Sequence, residues 1–382
     1  MARASSKIRP IAVYPISFLR ILPLMPRPLV AITHVSAMQA NLAAARKAVP
    51  GARTWAVVKA DAYGHGLSHA MRAFEAADGL SLVEFDRAAR LRELGWQKPI
   101  MMMQGMYDVS DIEHLARDDL QPVIHHAEQC RMLEITPINR PLVVHLKINT
   151  GMNRLGFMPS QASEIYHRLV SMPSVRSVSL MTHFANADSN GTMPDVAAQI
   201  AAFAHATAGL DAEVSLSNSA ATLLQRQIRG DWIRPGVMLY GGAPGMQSAL
   251  SLGLQPAMTL QSRVIATQSL RAGDSVGYGS LFIADQPMRI GIVACGYADG
   301  YPRLASTGTP VLLNGVRTRL LGRVSMDMLA IDLSPLPDAD VGCEVTLWGE
   351  GLPIDEVAAH AGTIGYELMC GIAARVRREV RD

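Results

Sequence analysis

Eight apolar, β-rich runs recur along the first part of the chain, near residues 55–60, 80–85, 99–104, 121–125, 142–148, 177–184, 213–217 and 232–240. Between them lie segments such as His69 to Ala77, Arg87 to Leu94, Gln161 to Val170 and Val196 to Ala206, whose apolar residues return at helical spacing. Eight strand-helix units predict an α/β fold of the (β/α)8 TIM-like barrel type. The competing doubly wound open sheet would carry a GxGxxG phosphate signature after its first strand, and none follows this one. After about Pro256 the pattern changes to short alternating runs: Thr259 to Gln268, Arg289 to Cys295, Pro310 to Leu321, Met328 to Leu333 and Glu344 to Trp348. Asn314-Gly315 sits between two of these runs and is a type I′ hairpin signal. The expected organisation is a barrel over 25–256 and a mainly β domain over 257–382.

Composition excludes several classes of function. With 49% hydrophobic and 18% charged residues and a net charge of +2, the chain offers no field for nucleic acid or a membrane surface. Cys130, Cys295, Cys343 and Cys370 lack CxxC spacing, so they read as reduced thiols, neither a disulfide framework nor a metal site. In residues 1–24 a basic start precedes the apolar stretch Ile11 to Leu24, but Arg20, Pro15 and Pro23 interrupt it and no small-x-small cleavage site follows. That segment is expected to be a disordered extension or the product of an upstream start. A cytoplasmic enzyme is the resulting expectation.

The chemistry is concentrated around Lys59. It ends the apolar run Trp55-Ala56-Val57-Val58 and precedes Ala60-Asp61-Ala62-Tyr63-Gly64-His65-Gly66. Burial lowers the pKa of an ammonium and frees its lone pair, which a lysine needs to attack an aldehyde and hold a Schiff base. A bare VVK would read as a snorkelling lysine at a strand end. Lys147, His183, Ser217 to Ser219 and Arg234 to Gly236 also fall at or just past strand ends, which in a barrel converge on one mouth.

The run around Lys59 resembles the pyridoxal-phosphate attachment motif of the alanine racemases. The resemblance extends from about Met25 to Val376 through LKINTGMNRLGF (from Lys147 to Phe157, with the leucine before it), MTHFA (Met181 to Ala185), SLSNSAAT (Ser215 to Thr222), RPGVMLYG (Arg234 to Gly241), VGYG (Val276 to Gly279), GYADGYPR (Gly296 to Arg303), GRVSMDM (Gly322 to Met328) and GTIGYELMC (Gly362 to Cys370). It implies a pyridoxal 5′-phosphate enzyme acting on alanine, built as a head-to-tail homodimer in which each β domain closes its partner's barrel mouth. Racemisation needs a base on each face of the α-carbon. The resemblance assigns Lys59 to one face and Tyr278 of the other subunit to the opposite face, with His183, Arg234 and Arg154 as cations favouring the phenolate. Arg234 would face the pyridine nitrogen, which must then accept a hydrogen bond, and this weakens the cofactor as an electron sink.

The same resemblance gives the phosphate Tyr63, Ser219, the backbone at Gly236 and Val237, and Tyr366. Taken alone, Ser219 reads as a helix N-cap and Tyr366 as a core or interface residue. Arg154 and the Met326 amide would bind the substrate carboxylate, with Tyr297 and Asp327 shaping the entrance. Lys147 would repel Arg154 if unmodified, and in many relatives this lysine is carbamylated. The bland alternative is a lysine paired with an acid. Asn149, where many relatives have aspartate, and LKINTGMNRLGF lean toward the degradative type. The ending GIAARVRR (Gly371 to Arg378) is more basic than the usual one, His65 reads as support for the turn after Lys59, and Asn218 as an orienting residue. The alternatives are a broader-specificity racemase, a fold-related decarboxylase and a single-domain pyridoxal-phosphate-binding protein. Residues 257–382 argue against the last.

Overall fold

The structure, a computed structural model, describes residues 27–382 except Asn190, Arg226 and Met246. The expected N-terminal extension, 1–24, lies outside the described residues. The first strand, β1 (Val30–His34), leads into a long helix, Val35–Ala48, and eight parallel strands then close a barrel. These are β2 (Arg53–Val57), β3 (Gly79–Leu82), β4 (Ile100–Met102), β5 (Leu120–Ile124), β6 (Leu142–Lys147), β7 (Val175–Met181), β8 (Val214–Ser215) and β9 (Trp232–Ile233). Each coincides with one of the eight apolar runs. The last two are shorter than their runs because the chain turns out of the sheet early: Asn218 starts a helix, and Pro235 has no amide to donate.

β1 corrects the expectation that everything from residue 25 belongs to the barrel. It is buried along its whole length and pairs antiparallel with β10 (Met258–Leu270) and parallel with β18 (Arg377–Arg381). An apolar pentapeptide needs neighbours on both edges, and its sequence does not say which sheet supplies them. The second unit continues with the short pair β11 (Ser275–Val276) and β12 (Phe282–Ile283), then β13 (Met288–Val293), β14 (Pro310–Leu313), β15 (Val316–Leu321), β16 (Leu329–Asp332) and β17 (Glu344–Trp348). The long β10 pairs with β17 at one end and β13 at the other, so six strands join into a ring. Asn314 and Gly315 both have positive φ, 46° and 81°, as the type I′ turn between β14 and β15 requires.

The barrel interior explains how the mouth is built. Trp55 and Trp232 stack at 4.4 Å, with Met101, Val123 and Met181 packed around them and the His145 ring edge-on to Trp55 at 5.6 Å. Side chains two residues apart on a strand share a face. Trp55 therefore sits two positions below Val57 on β2, and His145 lies beneath Lys147 on β6. The aromatic layer forms the floor on which these groups stand.

Trp55→Ala is expected to reduce stability by about 3–5 kcal/mol, measured by urea unfolding. A loss below about 1 kcal/mol would mean that the floor does not hold the barrel together.

Candidate active site

The chain after β2 takes an unusual path. Ala60, Asp61, Ala62 and Tyr63 all have φ between 50° and 55°, forming a left-handed turn without a glycine. Such a conformation costs about 1–2 kcal/mol per residue, so the surroundings must fix it. The Ala60 amide donates to Glu84 Oε1 at 3.1 Å, and the Leu67 amide donates to Asp61 Oδ1 at 3.0 Å. His65, fully buried, donates from Nδ1 to the Ala62 and Tyr63 carbonyls at 3.0 and 2.9 Å. Burial lowers its pKa to about 4, so it stays neutral and serves as the expected support of the turn. A side chain at Gly64 would collide with the Met369 carbonyl, because the turn lies directly against the helix Gly365–Cys370.

Lys59 opens onto a cavity of about 960 Å³ whose wall includes Tyr63, Lys147, Arg154, His183, Ser219, Arg234, Gly236, Val237 and Tyr366. Ten of the expected site residues thus converge, Lys59 included. Tyr278, Met326 and Tyr297 do not line this cavity, and the first two are more than half exposed, at 71% and 52%.

The electrostatics of the wall are one-sided. Lys59, Lys147, Arg154 and Arg234 have no ion-pair partner among the described residues, and only Asp188 and Glu367 bring carboxylates to the wall. Burial, and then Arg154, push the Lys59 pKa below its ordinary value. Lys147 is pushed to about 7 by burial and by Arg234, Arg154 and Lys59. The bland reading of Lys147 as half of an acid pair is therefore not what the fold provides. His183 moves in the same direction, well below the ordinary histidine value, through burial and the charge of Arg234. The expectation that His183 is a cation is corrected: a buried imidazole among four cations stays neutral.

Arg234 is held rigidly, donating to Ser215 Oγ at 2.6 Å and to the Thr182 and Leu216 carbonyls at 2.5 and 3.3 Å. Burial lowers its pKa to about 10, which leaves it protonated at neutral pH. Its Nε is buried without a hydrogen-bond partner. A buried orphan donor is costly, and an acceptor such as a pyridine nitrogen would satisfy it. Nearby, the Gly236 and Met238 amides point at Ser219 Oγ, at 2.8 and 3.4 Å. A Cβ on Gly236 would sit 2.5 Å from Tyr63 Oη, so glycine is required for this close approach. Backbone amides, a serine hydroxyl and two tyrosine hydroxyls make a cradle suited to a phosphate. The residues present therefore fit pyridoxal phosphate at both its ring and its anionic end.

The helix after β8 corrects a smaller expectation. Ser219 is its first helical residue, and Asn218 caps it, its side chain accepting from the Ala221 amide at 2.9 Å. That frees Ser219 Oγ to face the cradle. Sequence reasoning missed Glu84, whose signal was an acid placed just after the strand at 79–82. It also missed Cys370 and Glu367 as parts of the wall, visible only as members of GTIGYELMC.

Comparison with known proteins adds an independent line. Residues 33–244 match the family model for the alanine racemase N-terminal domain and residues 257–380 that for the alanine racemase C-terminal domain. The chain belongs to the alanine racemase family. An alanine racemase of Janthinobacterium sp. (strain Marseille) is 55% identical over 92% of this chain and 99% of its own length. The biosynthetic alanine racemase of Pseudomonas aeruginosa superposes with a TM-score of 0.90 at 45% identity, covering 93% of this chain and all of that one. That of Acinetobacter baumannii gives 0.88 at 35% identity, covering 93% of this chain and 100% of its own. The family fold is the barrel followed by a mainly β domain described above.

Gly236→Ala is expected to displace Tyr63 from the cradle and weaken binding of phosphate-bearing ligands at least about ten-fold, read by calorimetric titration with pyridoxal phosphate. Unchanged affinity would show that the cradle does not receive the phosphate.

Proposed function

We propose that the chain interconverts L-alanine and D-alanine with pyridoxal 5′-phosphate held by Lys59, Tyr63, Ser219, Arg234, Gly236, Val237 and Tyr366. The observation that carries this reading is the meeting of Lys59 with the unpartnered Arg234 Nε above an anion cradle, in a mouth lined by uncompensated cations. When bound, the cofactor supplies an electron sink that acidifies the substrate's α-hydrogen. Burial lowers the Lys59 pKa and so eases loss of its proton, and its Nζ can then take or return a proton on one face. Arg234, whose Nε is buried without a partner, would hold the ring nitrogen as a hydrogen-bond acceptor while keeping its own proton, which would limit electron withdrawal and favour proton return over transamination. Arg154, which lines the cavity and is exposed, would take the substrate carboxylate.

The opposite face needs a second base, and in this reading the role falls to Tyr278, which does not line the cavity of its own chain. Tyr278, with Met326 and Tyr297, lies exposed on the β domain, so a second copy of the chain would bring these groups to the mouth. A homodimer with shared sites follows from this reading.

Lys147 is read as a carbamate. Its pKa of about 7 leaves much of the amine uncharged near neutrality, the form that adds to carbon dioxide, and the resulting negative charge would hold Arg154. No helix among the described residues is long and apolar enough to cross a membrane, and a cytoplasmic location fits the near-neutral surface charge. Racemisation is nearly thermoneutral, so metabolite supply sets its direction. D-alanine for peptidoglycan and alanine catabolism are both served by the same site.

Incubation with L-alanine in heavy water is expected to give α-deuterated D-alanine, and Lys59→Ala to abolish it. Exchange without inversion, or release of carbon dioxide, would replace this reading with a one-base enzyme or a decarboxylase. Labelled bicarbonate should enter Lys147 increasingly as pH rises through about 7, because only the uncharged amine reacts. No label by mass spectrometry above that pH would discard the carbamate.

A further inference from the structure

The basic ending flagged in the sequence, 371–378, connects two places that the fold otherwise keeps apart. It leaves the helix Gly365–Cys370, whose Tyr366 and Cys370 line the cavity, and runs into β18. Arg378 donates to the carbonyl of Gly64, at the end of the left-handed turn that begins at Lys59, and to the Ile372 carbonyl at 3.1 Å. Upstream, Arg375 donates from Nε to Asp299 Oδ1 at 2.8 Å and from Nη2 to Asp327 Oδ1 at 2.6 Å. The Ala373 amide donates to the Asp299 carbonyl at 3.0 Å, and a side chain at Gly300 would collide with the Gly371 carbonyl.

Asp299 is the fixed point of this arrangement. It is completely buried, yet its carboxylate faces two guanidinium groups and an amide: Arg27 at 2.5 Å, Arg375, and the Gly296 amide at 2.8 Å. Charge-assisted bonds of this kind are strong and directional. The carboxylate closes the short turn Tyr297–Asp299, and that turn is stitched to the neighbouring loop: Tyr297 and Ala298 donate to the Ser325 and Met326 carbonyls, both at 3.0 Å. Tyr297 and Met326 are the groups that the proposed function assigns to a second copy's mouth.

We infer that residues 371–378 are a positioning strap in which Arg375, through Asp299 and Asp327, sets the Tyr297 and Met326 loops that complete the partner's site. Arg378 meanwhile steadies the lysine turn of the strap's own chain. The inference rests on the shared-site reading above. It makes each substrate entrance depend on the ending of the chain that does not supply that entrance's lysine.

Arg375→Gln tests it without stripping Asp299 of partners, since Arg27 and the Gly296 amide remain and the chain should fold. The variant is expected to raise KM for alanine about ten-fold with kcat changed less than about two-fold. Arg375→Lys, which keeps the charge but not the two-pronged geometry, should recover part of that loss. Mixed dimers then locate the effect. With Lys59→Ala and Arg375→Gln on one chain and a wild-type partner, the surviving site uses the altered entrance and should show the raised KM. With the two substitutions on opposite chains, the surviving site uses an intact entrance and should show the wild-type KM.

Equal KM values in the two arrangements, or a loss confined to kcat, would overturn the strap. A control separates that failure from failure of the reading beneath it: Lys59→Ala and Tyr278→Phe on separate chains should together form one intact site. Activity recovered in the control with equal KM values sinks the strap alone, whereas no recovery sinks the shared site and the strap together.

Discussion

Uncompensated positive charge at the barrel mouth governs much of the rest of the molecule. Four cations face one cavity with little acid to balance them, and burial raises the cost of keeping Lys59, Lys147 and Arg234 charged. The protein can lower that cost by deprotonating amines or by accepting anions. Lys59 and Lys147 shift toward the uncharged form and His183 stays neutral, while Arg234 stays protonated. A site of this kind is prepared for a ligand carrying a phosphate and a substrate carrying a carboxylate. It is simultaneously prepared to release a lone pair from Lys59.

The backbone carries a matching cost. Four consecutive residues in left-handed geometry after Lys59 oppose the intrinsic preference of L-residues. They persist because other side chains hold them: His65 just after the turn, and, from distant parts of the chain, Glu84 of the next strand-helix unit and Arg378. Strain offset by tertiary contacts fixes the direction in which Lys59 points. The aromatic floor of Trp55 and Trp232 sets its height in the barrel. The reactive amine is therefore positioned by packing below it and hydrogen bonds beside it.

The β domain has a different relation to its chemistry. Its core is conventional, a ring of strands with apolar residues turned inward, yet Tyr278 and Met326 project outward. Exposed aromatic and thioether groups held on ordered loops are suited to a surface that meets another copy. Asp299 ties the Tyr297 and Met326 loops to residues 371–378, so the domain presents these two loops as a preformed unit. Preorganisation of this kind reduces what must be ordered when substrate arrives.

The sequence by itself determined the barrel strands, because alternation of apolar runs with helical periodicity is a local property that survives without neighbours. It also determined the Asn314-Gly315 turn, where backbone geometry follows from residue type, and the convergence of Lys59, Lys147, His183, Ser219 and Arg234 at strand ends. Only the tertiary structure decided the sheet to which β1 belongs, since edge pairing depends on distant strands. It alone decided that Asn218 and not Ser219 caps its helix, because two adjacent polar residues compete for one geometric position. It likewise decided that His183 is neutral and Lys147 has no acid partner, because protonation answers to burial and summed charge that linear order does not carry. The left-handed geometry after Lys59 was only partly legible: His65 could be read as support for a turn there, but nothing in ADAY calls for the left-handed form, and the contacts from Glu84 and Arg378 depend on the fold.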